Sequence, residues 1–285
     1  MFPFRLRSLA LFLATTLSAA AQAYQWSAFA GLPPQSGFAD GSGAAARFNT
    51  PLHVAATANG TVYVADTFNH AIRAISPAGV VTTLAGLGGV SGNTNATGAS
   101  ARFFFPSGIV LSRNALFVAD RGNHTIRRVS LTGEVTLFAG RPNIAGFADG
   151  GALFAVFDQP SSLVADSADN LYVVDSRNHM IRRITPDGVV STFAGLTGAP
   201  GSADGRRLDA RFTNPESITI DAAGNFYIAD RGYHTIRRIA VDGTVSTLAG
   251  APTQPGSVNG NGPAARFQSP SGVIAYANGA VVVID

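Results

Sequence analysis

An aspartate, a histidine and an arginine stand close together in the chain at Asp120, His124 and Arg127. A carboxylate beside an imidazole could serve as a general base or as part of a metal site. The same trio recurs in three other stretches, and the steps between successive aspartates are 54, 55 and 55 residues. An active site is needed once per molecule, so a trio that every copy carries indicates a structural role rather than catalysis.

We therefore expect each Asp to accept hydrogen bonds from a tight turn and to pair with the His or the Arg of its own copy. Buried polar groups require such partners. No residue is assigned a catalytic role. The structural set consists of Asp66, His70, Arg73, Asp120, His124, Arg127, Asp175, His179, Arg182, Asp230, His234 and Arg237.

Two residues that break the repetition are candidates for chemistry. His53 is the only His outside the repeated trio, and Glu216 is one of two Glu residues. Both lie where a strand would line a central channel with several Ser hydroxyls, so the pair is a candidate site for Ca²⁺ or another divalent cation. A water-filled channel mouth without a ligand is the favoured alternative, because a catalytic metal centre usually has more His or carboxylate ligands. No other cofactor is indicated.

The elements that must position these residues are short strands. Each copy contains four segments that alternate apolar and polar residues, with turn residues between them, which is typical of β-hairpins. In the second copy we predict strand a at 107–112, strand b at 115–120, strand c at 124–130 and strand d at 134–140. One such sheet cannot bury both faces alone, and units of this period stack radially as propeller blades.

The predicted fold is therefore all-β, a β-propeller of four-stranded antiparallel blades. The sequence has four complete repeats plus one partial repeat that stops after strand b. Five or six blades are both possible for the intact protein, and we expect the last blade to be truncated. An N-terminal d strand that joins the C-terminal a and b strands would make a composite blade and remove free strand edges.

Long connections join strand d to the next strand a, and they carry a repeat of their own. The connections at 37–51, 201–215 and 256–270 share a glycine-rich start and an Ala-Arg-Phe end. We expect a helical turn that Asp or Asn starts and that a buried Phe pins over the gap between blades. The Phe residues concerned are Phe48, Phe103, Phe157, Phe212 and Phe267.

The b–c turns and the long d–a connections should emerge on the same face of a propeller. Non-identical loops on a rigid ring are where binding specificity usually lies. This face is the predicted binding face, and its candidate residues are Phe68, Arg121, Asn123, Arg177, Asn178, Arg231 and Tyr233.

The N-terminus has the features of an export signal. Arg5 and Arg7 precede an apolar run that is too short to span a bilayer, and residues 21–23 fit a small-x-small cleavage pattern. We predict a signal peptide at 1–23 and the propeller at 24–285, in a periplasmic or extracellular protein with no membrane span after cleavage.

Charge argues against one class of partner, and the lack of cysteine limits how the fold can be stabilised. All twenty basic residues are Arg, and the predicted mature chain carries 18 Arg against 17 Asp and Glu. This near-neutral balance gives no basic stripe for nucleic acid, which we do not expect as a partner. The chain has no Cys, so the fold must be held by its core without disulfides or thiolate metal sites.

The repeat resembles the NHL-repeat β-propeller family. The resemblance is carried by residues 221–230, which end in Asp230, and by His234 and Ile236-Arg237 that follow, and it extends over nearly all of the mature chain. It implies a propeller of usually six blades, most often a binding scaffold and sometimes an enzyme such as an amidating lyase. Gluconolactonase-like hydrolases share the shape but are more distant. The departures are the longer repeat and the unfinished last blade.

The function predicted from these observations is that of an exported binding or scaffold module for a protein, a glycan or a cell-surface partner. The alternative is a propeller enzyme, a lyase or a lactonase-like hydrolase, with a divalent cation near His53 and Glu216 in the axial channel. A purely structural repeat within a larger surface protein is the third class.

Overall fold

A computed structural model describes residues 28–276 and 278–285. The described strands form five antiparallel sheets that follow one another along the chain. Four of them are complete a-b-c-d meanders and the last has two strands. The predicted all-β fold of four-stranded propeller blades is confirmed.

The strand bounds follow the repeat. Blade 1 contains β1 (Gly41–Ser42), β2 (Pro51–Ala56), β3 (Val62–Asp66), β4 (Ala71–Ile75) and β5 (Val80–Gly86). Blade 2 contains β6 (Pro106–Ser112), β7 (Ala115–Asp120), β8 (Thr125–Ser130) and β9 (Val135–Gly140). Blade 3 contains β10 (Pro160–Ala165), β11 (Leu171–Asp175), β12 (Met180–Ile184) and β13 (Val190–Gly195). Blade 4 contains β14 (Gly205–Arg206), β15 (Pro215–Ile220), β16 (Phe226–Asp230), β17 (Thr235–Ile239) and β18 (Thr244–Ala249), and the partial blade contains β19 (Gly272–Ala275) and β20 (Val281–Ile284).

The predicted strands of the second copy match β6 to β9 to within one residue at each end. The difference with a physical cause is at His124, which we placed in strand c. It instead ends the 3-10 turn Arg121–Asn123 in the left-handed conformation, with φ of 59°. His70, His179 and His234 do the same in their blades. The turn thus reverses the chain just before strand c begins.

The hydrophobic core lies between neighbouring blades. Phe157 is fully buried in a cluster that joins Phe117 and Ile126 of blade 2 to Leu171 and Val173 of blade 3. Phe103 and Phe212 occupy the equivalent positions at the neighbouring junctions. Because each sheet buries its two faces only against its neighbours, a blade is stable only as part of the series.

The d–a connections extend the outer edge of the blades. In blade 1 the connection adds the short strand β1, which pairs with β5, and in blade 4 it adds β14, which pairs with β18. Successive a strands, from β2 to β19, contact one another in order and line the central cavity.

The two ends of the chain depart from the composite blade that the sequence suggests. Residues 28–31 form no strand, and β19 and β20 pair only with each other. The remainder of the predicted N-terminal strand and the predicted signal peptide lie outside the described residues. Throughout the described ranges, no helix has the length and hydrophobicity needed to cross a membrane.

Candidate functional site

The repeated Asp is the acceptor at the centre of each blade's b–c turn. In blade 2, Asp120 Oδ1 accepts a hydrogen bond from the Phe104 amide at 2.8 Å. Its Oδ2 accepts from Asn123 Nδ2 at 2.7 Å and from Arg127 Nη1 at 2.8 Å. Burial raises the pKa of Asp120 to about 6, against the opposing charge of Arg127. The buried pair recurs as Asp66–Arg73, Asp175–Arg182 and Asp230–Arg237.

Each repeated Arg also holds the d–a connection of its blade. Arg73 Nη2 donates to Asp40 Oδ1 at 2.6 Å, and Asp40 Oδ2 accepts from the Thr83 amide at 3.1 Å. The guanidinium lies over the Phe48 ring, 5.1 Å from its centroid, which is cation–π geometry. We predicted that an Asp or Asn of each connection starts a helical turn, and for Asp40 this is wrong. The 3-10 turn Gly43–Ala45 follows Ser42 and has no side-chain cap.

The repeated His connects its blade to the next one. His124 Nδ1 accepts a hydrogen bond from the Gln159 amide at 3.1 Å. Burial lowers the pKa of His124, which favours the neutral imidazole that such a bond requires. His124 Nδ1 also lies 3.4 Å from Asp158. Equivalent bonds join His70 to Phe105, His179 to Asn214 and His234 to Ser269. Of the two partners predicted for the Asp, the structure shows the Arg.

Two of the channel-lining Ser hydroxyls donate hydrogen bonds to the backbone of the neighbouring blade. Ser107 Oγ donates to the Ser161 carbonyl at 2.8 Å, and Ser161 Oγ donates to the Glu216 carbonyl at 2.8 Å. These bonds run from one a strand to the next. The hydroxyls thus fasten adjacent blades around the cavity.

His53 and Glu216 line the same central cavity, which has a volume of about 850 Å³. Burial lowers the pKa of His53, and the charge of Glu216 opposes this shift. Glu216 Oε1 accepts a hydrogen bond from Arg121 Nη1 at 2.6 Å. Among residues 28–276 and 278–285 there is no group of three or more His, Asp and Glu placed to hold a metal ion. The carboxylate predicted for a cation is instead paired with a guanidinium.

The b–c turns and d–a connections do share one face. The amide of Phe68 donates to the Asn49 carbonyl, and the amide of Gly122 donates to the Phe104 carbonyl, so each turn is attached to the residues just before strand a. We call this region the mouth, meaning the b–c turns together with the residues that precede each a strand. It surrounds one end of the central cavity.

The structure divides the seven predicted binding-face residues into two groups. Phe68 is 51% exposed, Arg177 and Arg231 are exposed, and Arg121 and Tyr233 are half-buried. Asn123 and Asn178, however, are only 2% and 7% exposed. Each of these amides donates to the Asp of its own blade and to a carbonyl of the d–a connection. Both Asn residues therefore stabilise the turn and the d–a connection of their own blade, and their assignment to the binding face is corrected.

Two small pockets open at the mouth, and Arg121 lines both. A polar pocket of about 270 Å³ is lined by Arg177, Arg231, Ser176, Asn214 and Glu216. An apolar pocket of about 210 Å³ is lined by Leu52, Phe68, Phe105 and Gln159. The sequence did not single out Phe105 and Asn214, which the structure adds to this face. The signal that could have found them is the variation among copies at the residue before the Pro of strand a.

Comparison with known proteins connects this architecture to a repeat family. The model of the NHL repeat matches residues 157–184. NHL repeat-containing protein 2 of Gallus gallus is 31% identical over 288 residues, which cover 88% of this chain and 39% of that protein. The chain thus spans about two fifths of the length of these curated relatives.

Solved structures agree on the fold. A protein of unknown function from Bacteroides thetaiotaomicron VPI-5482 is 26% identical with a TM-score of 0.55, covering 90% of this chain and 72% of that chain. An auxiliary nutrient binding protein from the same organism is 18% identical with a TM-score of 0.56 and the same coverage. The second likeness concerns the fold alone.

Proposed function

We propose that this chain, which belongs to the NHL-repeat family and folds as a β-propeller, acts as an exported binding module whose mouth contacts a protein, a glycan or a cell-surface component. The observation that carries the proposal is that the repeated residues and the variable residues of the chain have different surroundings. The repeated Asp, His and Arg are engaged with their own blade or the next. The residues that differ among copies, including Phe68, Arg177 and Arg231, are exposed together on one face.

Export is the part of the proposal that rests on the sequence. Its support is the basic, apolar and small-residue pattern at 1–23. The absence of Cys is compatible with an exported protein whose stability comes from its inter-blade core.

A propeller enzyme, a lyase or lactonase-like hydrolase that uses a divalent cation, has less support. In its favour, His53 and Glu216 line one cavity. Against it, Glu216 is bound by Arg121 at 2.6 Å, and a catalytic divalent cation usually has three protein ligands. The binding module needs no such centre.

Site-specific photo-crosslinking tests the binding function. A photoreactive side chain is placed at Tyr233 of the mouth or, as a matched control, at Arg128, which is exposed on strand β8. We expect crosslinking to a defined partner from Tyr233 and none from Arg128. Affinity of the purified partner is then measured for Phe68→Ala and Arg128→Ala. Equal crosslinking from both positions, or loss of binding only in Arg128→Ala, would contradict the proposal.

A further inference from the structure

The polar pocket of the mouth carries more positive than negative charge. Arg121, Arg177 and Arg231 all line it, and Glu216 is its single carboxylate. Arg121 donates to Glu216 at 2.6 Å, while Arg231 Nη1 lies 4.0 Å from the second carboxylate oxygen. Arg177 has no carboxylate within salt-bridge distance among residues 28–276 and 278–285. The pocket therefore has guanidinium groups available for a second carboxylate.

A serine hydroxyl on the same pocket offers a hydrogen-bond donor in addition to the charges. Ser176 is only 2% exposed and lines the pocket. Within the described ranges its hydroxyl makes no hydrogen bond, unlike the equivalent Thr67 hydroxyl, which donates to the Pro106 carbonyl at 2.8 Å. The oxygen of this hydroxyl is not fully enclosed by protein and opens on the pocket, so it can donate a hydrogen bond to a ligand oxygen there.

The second pocket at the mouth, which Arg121 also lines, is apolar. It is formed by Leu52, Phe68 and Phe105, and Leu52 and Phe68 are 47% and 51% exposed. Exposed apolar side chains grouped at the rim of a cavity are typical of a binding surface. Because Arg121 lines both pockets, one ligand could place a carboxylate and an apolar group on its two sides.

We propose that the mouth binds an acidic peptide segment, in which a Glu or Asp carboxylate enters the polar pocket and a neighbouring apolar side chain enters the apolar pocket. This deepens the proposed function and rests on it. The guanidinium forks of Arg177 and Arg231 match the planar, two-oxygen carboxylate. Ser176 donates to the same carboxylate, and Leu52 and Phe68 bury the apolar side chain.

The aromatic geometry favours a peptide over an acidic sugar. Sugars typically stack on a flat, exposed ring face. Phe105 stacks on Phe104 with ring centroids 4.7 Å apart and meets Phe68 edge to face at 5.2 Å. Phe105 therefore has one face against Phe104, and the Phe rings of the pocket are joined by the aliphatic Leu52, a lining that suits an apolar side chain.

Fluorescence anisotropy with synthetic peptides tests the proposal. The probes are capped, labelled octapeptides of glycine that contain one glutamate and one phenylalanine, separated by zero to three residues. Matched peptides carry glutamine for glutamate, or alanine for phenylalanine. We expect saturable binding of at least one glutamate peptide and at least about tenfold weaker binding of its glutamine counterpart.

Protein variants locate the interaction. Arg177→Ala and Arg231→Ala should each lower the affinity for the glutamate peptide about tenfold. Phe68→Ala should lower the affinity for the same peptide but leave the affinity for its alanine counterpart unchanged. Arg128→Ala removes the same charge outside the mouth and should change nothing beyond measurement error. Thermal unfolding of each variant checks that the fold is retained.

Three outcomes would overturn the proposal. They are the absence of binding by every glutamate peptide, equal binding of the glutamine peptides, or equal weakening by Arg128→Ala. Saturable binding of glucuronate that Arg177→Ala abolishes, without peptide binding, would assign the mouth to an acidic sugar instead. In each case a partner crosslinked from Tyr233 would leave the proposed binding function standing.

Discussion

Blades 2 and 4 contain the same buried Asp–Arg pair but support it differently. In blade 2, Asn123 donates to Asp120 at 2.7 Å, and Arg127 lies at 2.8 Å from the carboxylate. In blade 4, Tyr233 replaces the Asn, and Arg237 lies 3.4 Å from Asp230. Burial raises the pKa of Asp120 to about 6 and that of Asp230 to about 7.

The presence of an Arg alone does not keep the buried carboxylate ionised. Both Asp side chains are fully buried, and both face a fully buried Arg. Two features differ, because blade 4 lacks the amide donor and its Arg lies farther from the carboxylate. Both a hydrogen bond and a nearby cation favour the ionised form. The d–a connection is affected as well, since the Gly201 carbonyl accepts a bond from Thr213 at 3.3 Å where the Gly92 carbonyl accepts one from Asn123 at 2.6 Å.

The largest expected effect is the loss of an Arg. Arg127→Ala leaves Asp120 buried without its counter-charge, so we expect a loss of about 3–5 kcal/mol in the free energy of unfolding. Arg237→Ala should cost less, because the raised pKa of Asp230 leaves its carboxylate only partly ionised at pH 7. Urea unfolding at pH 7 measures both. Arg128→Ala is the control, with a change within about 0.5 kcal/mol. Equal losses of unfolding free energy in Arg127→Ala and Arg237→Ala would contradict the difference between the two blades.

Removal of the amide should have an intermediate effect. Asn123→Ala removes the donor to Asp120 and the bond to the Gly92 carbonyl, and we expect a loss of about 1.5–3 kcal/mol. Tyr233→Ala in blade 4 removes no such donor and is the matched control. Urea unfolding of both variants at pH 7 gives the difference. A loss in Tyr233→Ala as large as that in Asn123→Ala would show that the amide has no special role.

The smallest expected effect depends on pH. The raised pKa of folded Asp230 means that its contribution to stability is present below its ordinary pKa of 3.8 and is lost as pH rises through about 7. Tyr233→Asn supplies the missing amide and should lower this pKa toward that of Asp120. The variant should gain about 1 kcal/mol over the parent protein at pH 8 and little at pH 5.

Unfolding free energies at the two pH values check this prediction. The lowered pKa of His124 makes the whole protein lose stability as pH falls below 6.5, but this loss is common to parent and variant and cancels in their difference. Tyr233→Ala again controls for the loss of the ring. A gain that is the same at pH 5 and pH 8 would refute the link to Asp230.

The fold could be predicted from the sequence because each repeat carries the same pattern of apolar, polar and turn residues. Alternation of apolar and polar residues located the strands, and the fixed period required stacking. The sequence could not show that Asp40 binds Arg73 rather than starting a turn, since both uses place an Asp before a glycine. Nor could it show that His124 reaches Gln159 of the next blade, because that contact depends on how the blades pack.

The candidate site could be predicted only in part. Position in the repeat placed Phe68, Arg177 and Arg231 on the face of the b–c turns, where they are exposed. It could not separate an exposed turn residue from a buried one. Asn123 and Arg121 are neighbours in one turn, yet one side chain points into the blade and the other crosses the cavity to Glu216. That contact joins blades 2 and 4, and no local pattern encodes it.

The histidine bonds give the series of blades a direction. Each complete repeat offers one imidazole acceptor to an amide of the next repeat, 35 residues later in the chain. Blades 2 to 4 and the partial blade each donate one such amide to the repeat before them. Duplication of one 54- or 55-residue unit would therefore insert a blade whose acceptor and donor both find partners. Growth of the gene by whole repeats would preserve every such junction, whereas an insertion of half a repeat would leave one imidazole and one amide unmatched.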